Sequence, residues 1–392
     1  MGWHWAVEIA RLGHRVHILT RANNLERIER EIKLCRGLEL AVTGYDLPGW
    51  ARWWKKGSRG IRLYYLLWQW GAYRCARRLH RGERFDLVHH ITFAVFRHPS
   101  FMGRLGIPFV FGPVGGGEFA PAELRRSLAL RSRVAEAARA AANRLAAFDP
   151  LVRATLRSAA LVFYKTPETL RQIPGKFHAK CICMQDVACD TAALAAEPAL
   201  SAEPRFIYAG RLLYWKGIHL ALKALAELRH EMPGARLTVA GSGPDEGWLR
   251  ELSGRLRIAG AVEWLGWLDH AKTIELFARH RALVFPSLHD SGGTVVMEAM
   301  ARGLPVICLD LGGPGAILPP DCGIKIAAHG QSESQVVAGL AGAMKLLATG
   351  DEPCREMAAN ALAAARLRTW QAIVQGAYRE IEKLTAAEKR TQ

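Results

Sequence analysis

From residue 205 onward the sequence alternates short apolar runs with amphipathic segments at a regular interval, and this alternation is its most restrictive feature. A run of four or five apolar or β-branched residues reads as a buried strand. The segment after it, with apolar residues three and four apart, reads as a helix packed on the sheet. The spacing predicts strands over Arg205 to Ala209, Arg236 to Ala240, Val262 to Leu265, Ala282 to Pro286 and Pro305 to Leu309. Helices are expected over Gly217 to Arg229, Asp245 to Arg255, Ala271 to Arg279 and Thr294 to Arg302, then over Glu333 to Leu347, Pro353 to Arg366 and Trp370 to Leu384. Such alternation indicates a mainly parallel sheet with helices on both faces.

The first half carries the same rhythm less regularly. Helical patterns lie at Trp3 to Leu12, near Leu25 to Leu34 and in an alanine- and arginine-rich stretch from Pro121 to Arg157. Strand patterns lie at Arg15 to Thr20, Leu38 to Val42, Asp86 to His90, Pro108 to Gly112 and Leu161 to Tyr164. A chain of 392 residues exceeds what one core usually serves. The text between about Thr191 and Pro204 turns to Ala, Glu, Pro and Ser. We therefore expect an α/β fold of two doubly wound, Rossmann-like domains facing a central cleft. Residues 1–190 would form the first, 191–204 a linker, 205–369 the second, and 370–392 a last helix packing back on the first.

Hydrophobic residues make up 50% of the chain and charged ones 23%, which suits a folded protein and excludes wholesale disorder. No stretch of some 18 uninterrupted apolar residues appears, nor a basic start followed by an apolar run and a cleavage site. The eight cysteines lack paired metal-type spacing. Cys181, Cys183 and Cys189 form C-x-C-x5-C without the two-residue knuckle of zinc sites. They read as reduced thiols in a cytoplasmic protein, with no metal site legible.

A formal charge of +17 makes anions the expected partners. Much of it gathers between Trp50 and Arg84, where Arg52, Lys55, Lys56, Arg59, Arg62, Arg74, Arg77, Arg78, Arg81 and Arg84 interleave with Trp53, Trp54, Tyr64, Tyr65, Trp68 and Trp70. Such a stretch suits an anionic membrane surface. It equally suits a helix whose aromatic stripe is core and whose arginines are solvated. A nucleic-acid partner is supported by charge alone, with no recognition motif.

In doubly wound sheets ligands bind at the carboxyl ends of strands, so the loops there carry the chemistry. After the strand ending at Ala209 come Gly210, Arg211 and then Lys216, directly before a helix. Two cations beside a helix N-terminus make a diphosphate clamp, or a pair of solvated loop cations. The next strand ends in Gly241-Ser242-Gly243-Pro244, where backbone can approach a ligand or simply turn tightly.

The most informative stretch is PSLHDSGGTVVMEAMARGLPVI, from Pro286 to Ile307. Asp290, Ser291, Gly292 and Gly293 form a polar loop before a helix that carries Glu298. Two carboxylates eight positions apart can grip hydroxyls at two places on a sugar nucleotide, while the N–H groups between them meet phosphate or sugar oxygens. Against this, Asp290 fits a helix N-cap and Glu298 fits an i,i+4 pair with Arg302. Val295, Val296, Met297, Ala299 and Met300 around Glu298 imply a helix buried on most sides, where a carboxylate needs partners.

The order G-R-L-x3-K-G, G-S-G-P, F-P-S-x2-D-x7-E-A-M-A-x-G-x-P-V-I and then Gly312-Gly313-Pro314 resembles the donor-binding half of the family 4 retaining glycosyltransferases of GT-B fold. The likeness runs from about Phe206 to Ile317. It implies that Arg211 and Lys216 bind the donor diphosphate, and that Glu298 holds the ribose hydroxyls. Asp290 stands where the family usually has a Glu that contacts the transferred sugar. Ser291, Gly292 and Gly293 would supply backbone N–H groups.

The first half resembles the family's acceptor domain more loosely, through Ile9 to His14, Val16 to Asn24, Asp86 to Phe93 and FGPVGGGE at Phe111 to Glu118, in a form similar to a polysaccharide-assembly branch. Gly115, Gly116 and Gly117 would lie on the acceptor side of the cleft. Many members carry an acceptor-side histidine after the strand matching Pro108 to Gly112. His89 and His90 are the nearest candidates for a catalytic role here, although a histidine at a strand end is often structural. The resemblance also implies a first strand and a glycine-rich loop ahead of the helix at Trp3, for which the residues before it leave almost no room. This reads as a truncated chain or a misassigned start.

The implied reaction moves a hexose-type unit from a nucleoside-diphosphate sugar to an acceptor hydroxyl, with the nucleotide sugar as co-substrate and no separate cofactor. A lipid-linked or carbohydrate acceptor in polysaccharide assembly at the inner membrane face would suit the basic, aromatic segment. The alternatives are a sugar-nucleotide epimerase on the same fold, which needs no acceptor, and a non-catalytic sugar-nucleotide-binding protein, which never releases the nucleoside diphosphate.

Overall fold

The structure is a computed structural model that describes residues 1–51, 60–93, 95–126, 128–189, 193–198 and 200–391, with residues 61, 62 and 385–391 described by their backbone alone. Contacts divide the chain into two compact units. The first comprises Met1–Gly117, Ala142–Asp186 and Trp370–Gln392, the second Glu118–Ala141 and Val187–Thr369. Residues 118–141, expected in the first domain, thus group with the second unit. Ala120, Leu124 and Leu128 bury themselves in that unit's core. The segment expected as a linker over 191–204 is described only in part, and its Leu194 and Leu200 pack against the same core.

The first unit runs α1 (Gly2–Arg11), β1 (Val16–Arg21), α2 (Leu25–Leu34), β2 (Leu40–Tyr45), α3 (Ile61–Glu83), β3 (Val88–His90) and β4 (Phe109–Val114). The expected long helix after β4 is three elements: a 3-10 turn at Glu123–Arg125, α4 (Leu130–Ala146) and α5 (Pro150–Ser158). The break before α5 is chemical. Asp149 caps the helix by accepting from the amides of Leu151 and Val152, and Pro150 fits its first turn. Then follow β5 (Leu161–Tyr164), α6 (Pro167–Gln172) and β6 (Cys181–Cys183).

All the ladders of this unit are parallel, in two sheets, β1-β2 and β3-β4-β5-β6. Among the described residues no strand joins β1 to β3, and the residues of both are only half-buried.

The second unit runs β7 (Arg205–Ala209), α7 (Ile218–Glu231), β8 (Arg236–Ala240), α8 (Glu246–Arg255), β9 (Val262–Gly266), α9 (His270–Phe277) and β10 (Ala282–Phe285). It continues with α10 (Thr294–Ala301), β11 (Val306–Leu309), α11 (Gly312–Ile317), β12 (Gly323–Ile326), α12 (Glu333–Thr349) and α13 (Asp351–Leu367). The last helix, α14 (Trp370–Thr391), belongs to the first unit, where Val374, Ala377 and Tyr378 pack with Trp5 and Phe163. The sheet of the second unit has the order β12-β11-β10-β7-β8-β9 and is parallel throughout. Strands proceed one way from β7 and the other way from β10, so the loops leaving these two neighbours flank the topological switch point.

Among the described residues no helix is long and apolar enough to cross a membrane. Residues 52–59 of the basic, aromatic segment lie outside the described residues. Helix α3 has a buried face and an exposed one. Tyr64, Tyr65, Ala72, Tyr73 and Ala76 are buried, whereas Leu63, Leu67 and Trp70 are exposed. Arg74, Arg77, Arg78 and Arg81 carry the same outward stripe toward the helix end.

Candidate functional site

The loops after β7 and β10 are drawn together by backbone. The amide of Leu288 donates to the carbonyl of Trp215 at 2.8 Å, and the Ser287 hydroxyl donates to the same oxygen at 3.2 Å. Gly217 sits at φ +70°, and a Cβ there would stand 1.8 Å from the carbonyl oxygen of Pro286. A side chain at residue 217 would push the two loops apart. Similar crowding operates at Gly241, φ +151°, where a Cβ would meet the Gly210 carbonyl oxygen at 1.9 Å. A Cβ on Gly243 would stand 2.3 Å from the carbonyl oxygen of Leu212, whose amide donates to Ser242 O at 3.0 Å. These glycines bind the β7 and β8 loops to each other.

On this frame Lys216 ends a short turn over Tyr214–Lys216, and its ammonium forms an ion pair with the carboxylate of Asp290. The same ammonium lies 5.2 Å from the centre of the Phe285 ring. Asp290 also accepts from the amide of Gly292 at 3.2 Å, and its carbonyl accepts from Gly313 N at 2.6 Å. Asp290 therefore shapes the loop that precedes α10 while holding the lysine, but it is not the helix N-cap, which is Gly293 with no side-chain cap bond. Arg211 is exposed at the rim, its carbonyl accepting from the Tyr208 hydroxyl at 3.0 Å. Ser291 and Gly292 are half-buried. A Cβ on Gly292 would meet nothing nearer than Val187 at 3.8 Å, so its missing side chain leaves room instead of relieving a clash. Gly293 enters α10 at φ +75°, against Pro314.

Glu298 lies on α10 among the buried Val296, Met297, Ala299 and Met300. Its partner is His270 at the start of α9, Nε2 to Oε1 3.0 Å, instead of the Arg302 suggested by spacing. Glu298 keeps 24% of its side chain exposed on a mostly buried helix.

Three residues that the sequence did not single out complete the second unit's site. Glu136 of α4, almost fully buried, accepts from the Tyr214 hydroxyl at 2.9 Å and lies 2.8 Å from Nε2 of His289. Burial alone would raise the Glu136 carboxyl, but the bond and charge of His289, the Tyr214 hydroxyl and the charge of Arg139 outweigh it and hold it below its usual value. Burial and the same hydrogen bond raise Tyr214.

The remaining candidates lie in the first unit. His89 is lodged against Trp5, Phe163 and Tyr378, with Nε2 3.0 Å from the Gly112 carbonyl. Burial pushes it down to about 3. His90, pushed down to about 4 by burial, has Nε2 2.9 Å from Thr92 O and 3.3 Å from the Tyr65 hydroxyl. Both imidazoles are neutral near pH 7 and engaged with main chain. The glycine run is likewise occupied by its own unit. Gly115 bridges Val95, Gly116 O accepts from Arg97 and Asn143 at 3.0 Å each, and Gly117 N donates to Thr169 Oγ1 at 3.2 Å. The structure thus brings together Arg211, Lys216, Asp290 and the β8 and β10 loops in one unit, and places His89, His90 and Gly115 to Gly117 in the other.

Known protein families match both halves of the chain. Residues 192–361 match the family described as glycosyl transferases group 1, and residues 3–179 match the glycosyl transferase 4-like domain. The glycogen synthase of Mycobacterium tuberculosis is 35% identical over 171 residues, 43% of this chain and 39% of that protein. The chain thus spans about two fifths of that curated relative's length. Over the whole chain the fold is similar to the sucrose-phosphate synthase of Thermosynechococcus elongatus, with a TM-score of 0.66, 17% identity and coverage of 98% of this chain and 92% of the other. It is also similar to Anabaena HepE in complex with UDP and glucose, with a TM-score of 0.61, 16% identity and coverage of 97% and 96%. Two family matches that between them take in both halves, on two parallel α/β units of the expected type, lead to one conclusion: the chain belongs to the family 4 glycosyltransferases of GT-B fold.

Proposed function

We propose that this chain transfers a hexose-type sugar from a nucleoside-diphosphate donor to an acceptor hydroxyl, with retention of configuration, in the assembly of a polysaccharide or glycoconjugate. The observation that carries the reading is the Lys216–Asp290 ion pair at the switch point of a parallel sheet, beside the exposed Arg211 and the open space at Gly292. In this reading the donor diphosphate takes Lys216 and Arg211 as counter-charges. Asp290, released from the lysine, accepts hydrogen bonds from the transferred sugar. The amides of Ser291, Gly292 and Gly293 meet sugar or phosphate oxygens, and the Glu298 carboxylate accepts from the ribose hydroxyls.

Chemistry then depends on position and charge. The bond from the anomeric carbon to the diphosphate oxygen breaks as the acceptor oxygen bonds to the same face of the sugar, and the departing diphosphate takes the acceptor proton. Lys216 and Arg211 stabilise the negative charge that grows on the leaving group, which is where preorganised cations lower a barrier most. His89 and His90 serve packing in this account. The experiment is donor turnover in Arg211→Ala and Lys216→Ala: a loss of about a hundredfold or more in each supports the clamp, and wild-type turnover in both sinks it.

A membrane-surface location for the reaction is favoured by α3. Its outward stripe begins with Leu63, Leu67 and Trp70 and continues as Arg74, Arg77, Arg78 and Arg81. An apolar end that dips between headgroups and a cationic end that stays among them match an anionic bilayer. The acceptor would then be a lipid-linked sugar presented at the inner membrane face.

A further inference from the structure

Helix α4 is amphipathic in the reverse sense. Ser132, Glu136 and Asn143 share a face and are 4, 2 and 1% exposed, whereas Leu130 and Val134 stand in solvent at 73 and 60%. A helix that exposes leucine and valine while burying a carboxylate runs against hydrophobic burial, so the carboxylate must be compensated by its bonds. Those of Glu136 go to two different loops. Tyr214 opens the turn that ends at Lys216, and His289 immediately precedes Asp290. Trp215, between Tyr214 and Lys216, stacks on the His289 ring at 5.6 Å and 13°. The contacts close a ring from Glu136 through Tyr214 to Lys216, across the ion pair to Asp290, and back through His289.

We infer that Glu136 is a positioning residue of the donor site, clamping the loop after β7 to the loop after β10. The inference rests on the donor-site reading above. In that reading a diphosphate competes with Asp290 for Lys216, so the ion pair loosens when the site fills. The bonds of Glu136 involve neither of these two groups and persist, and the loops keep their spacing as the charges exchange partners. Asp245 supports the same turn, accepting from Tyr214 N at 2.8 Å while paired with Arg131 of α4. A second cross-tie thus runs from α4 to the β7 loop.

The test compares the full chain with Glu136→Gln and His289→Asn, first without any donor. Hydrogen exchange at the amides of Lys216, Leu288 and Gly292 is expected to accelerate about tenfold in both variants, with the amides of β8 unchanged. UDP-glucose, GDP-glucose and ADP-glucose are then used as probes. With whichever of them wild type accepts, the KM for donor is expected to rise about tenfold while kcat moves less than about threefold. Unchanged exchange at the three amides, or acceleration spread evenly through the second unit, overturns the inference. If wild type binds none of the probes, the donor-site reading fails, and the exchange result still judges the clamp. Should Glu136→Gln not fold, Tyr214→Phe removes one of its two bonds, and the same three amides decide.

Discussion

Lys216 and Asp290, 74 residues apart in sequence, meet as an ion pair at the carboxyl ends of two neighbouring parallel strands. The pair joins the two groups on which the proposed chemistry depends, and each neutralises the other until a ligand intervenes. Both side chains are about four-fifths buried, so the exchange of partners takes place largely out of bulk water.

Asp290→Asn removes the group that competes with phosphate for Lys216. Affinity for the free nucleoside diphosphate is expected to rise by about two- to fivefold, because Lys216 no longer has to give up an ion-pair partner to bind phosphate. Turnover is expected to fall, since the sugar loses its carboxylate. Calorimetry with the nucleoside diphosphate and initial rates with the sugar donor check the two effects, and opposite signs are the mark of this arrangement.

Gly217→Ala places a Cβ 1.8 Å from the Pro286 carbonyl oxygen at a φ of +70°. A cost of roughly 1–3 kcal/mol is expected from the strained backbone and the forced separation of the loops. Gly234→Ala, where the added carbon meets nothing within 4 Å, is the control, with a change expected within about 0.5 kcal/mol. Urea unfolding of the two variants measures the difference.

Acid should destabilise the chain through buried histidines. His89 and His90 are held down to about 3 and about 4 when folded, against an unfolded value of 6.5. Below 6.5 the unfolded chain binds protons that the folded chain refuses, so stability is fully present above that pH and is lost as pH falls toward 3. Urea midpoints between pH 7 and pH 4 should decline, and the decline should flatten in a His89→Gln, His90→Gln double variant. An identical slope in the variant would assign the acid sensitivity to other groups.

The stripe on α3 predicts sedimentation with anionic vesicles at low salt and release as salt rises. Leu67→Glu and Arg77→Glu, both exposed, should each weaken sedimentation while leaving the melting temperature within a few degrees. Equal sedimentation of wild type and both variants would remove the membrane from the account.

The loops after β7 and β10 were legible because each is short and follows a strand. G-R-L-x3-K-G and the Asp290 to Glu298 stretch carry their chemistry within a few residues, and strand order then brings them together. Glu136 was not legible. Its partner His289 lies 153 residues away, and its helix is read from alanine and arginine content that conceals a reversed apolar face. The grouping of residues 118–141 with the second unit was hidden for the same reason, since no local pattern states which core Leu124 will enter. The division before α5 could have been read, because Asp149-Pro150 is a helix start written in the sequence. Likewise β12 was missed because Gly323–Ile326 is four residues with a lysine in its middle, too short to signal against its surroundings.

The account turns on donor binding at Arg211 and Lys216, and the most direct measurement is thermal stabilisation of the chain by UDP-, GDP- and ADP-sugars. One donor is expected to raise the melting temperature of wild type, and Arg211→Ala and Lys216→Ala are expected to abolish the rise without unfolding the protein. No rise with any donor, or an equal rise in wild type and both variants, would contradict it.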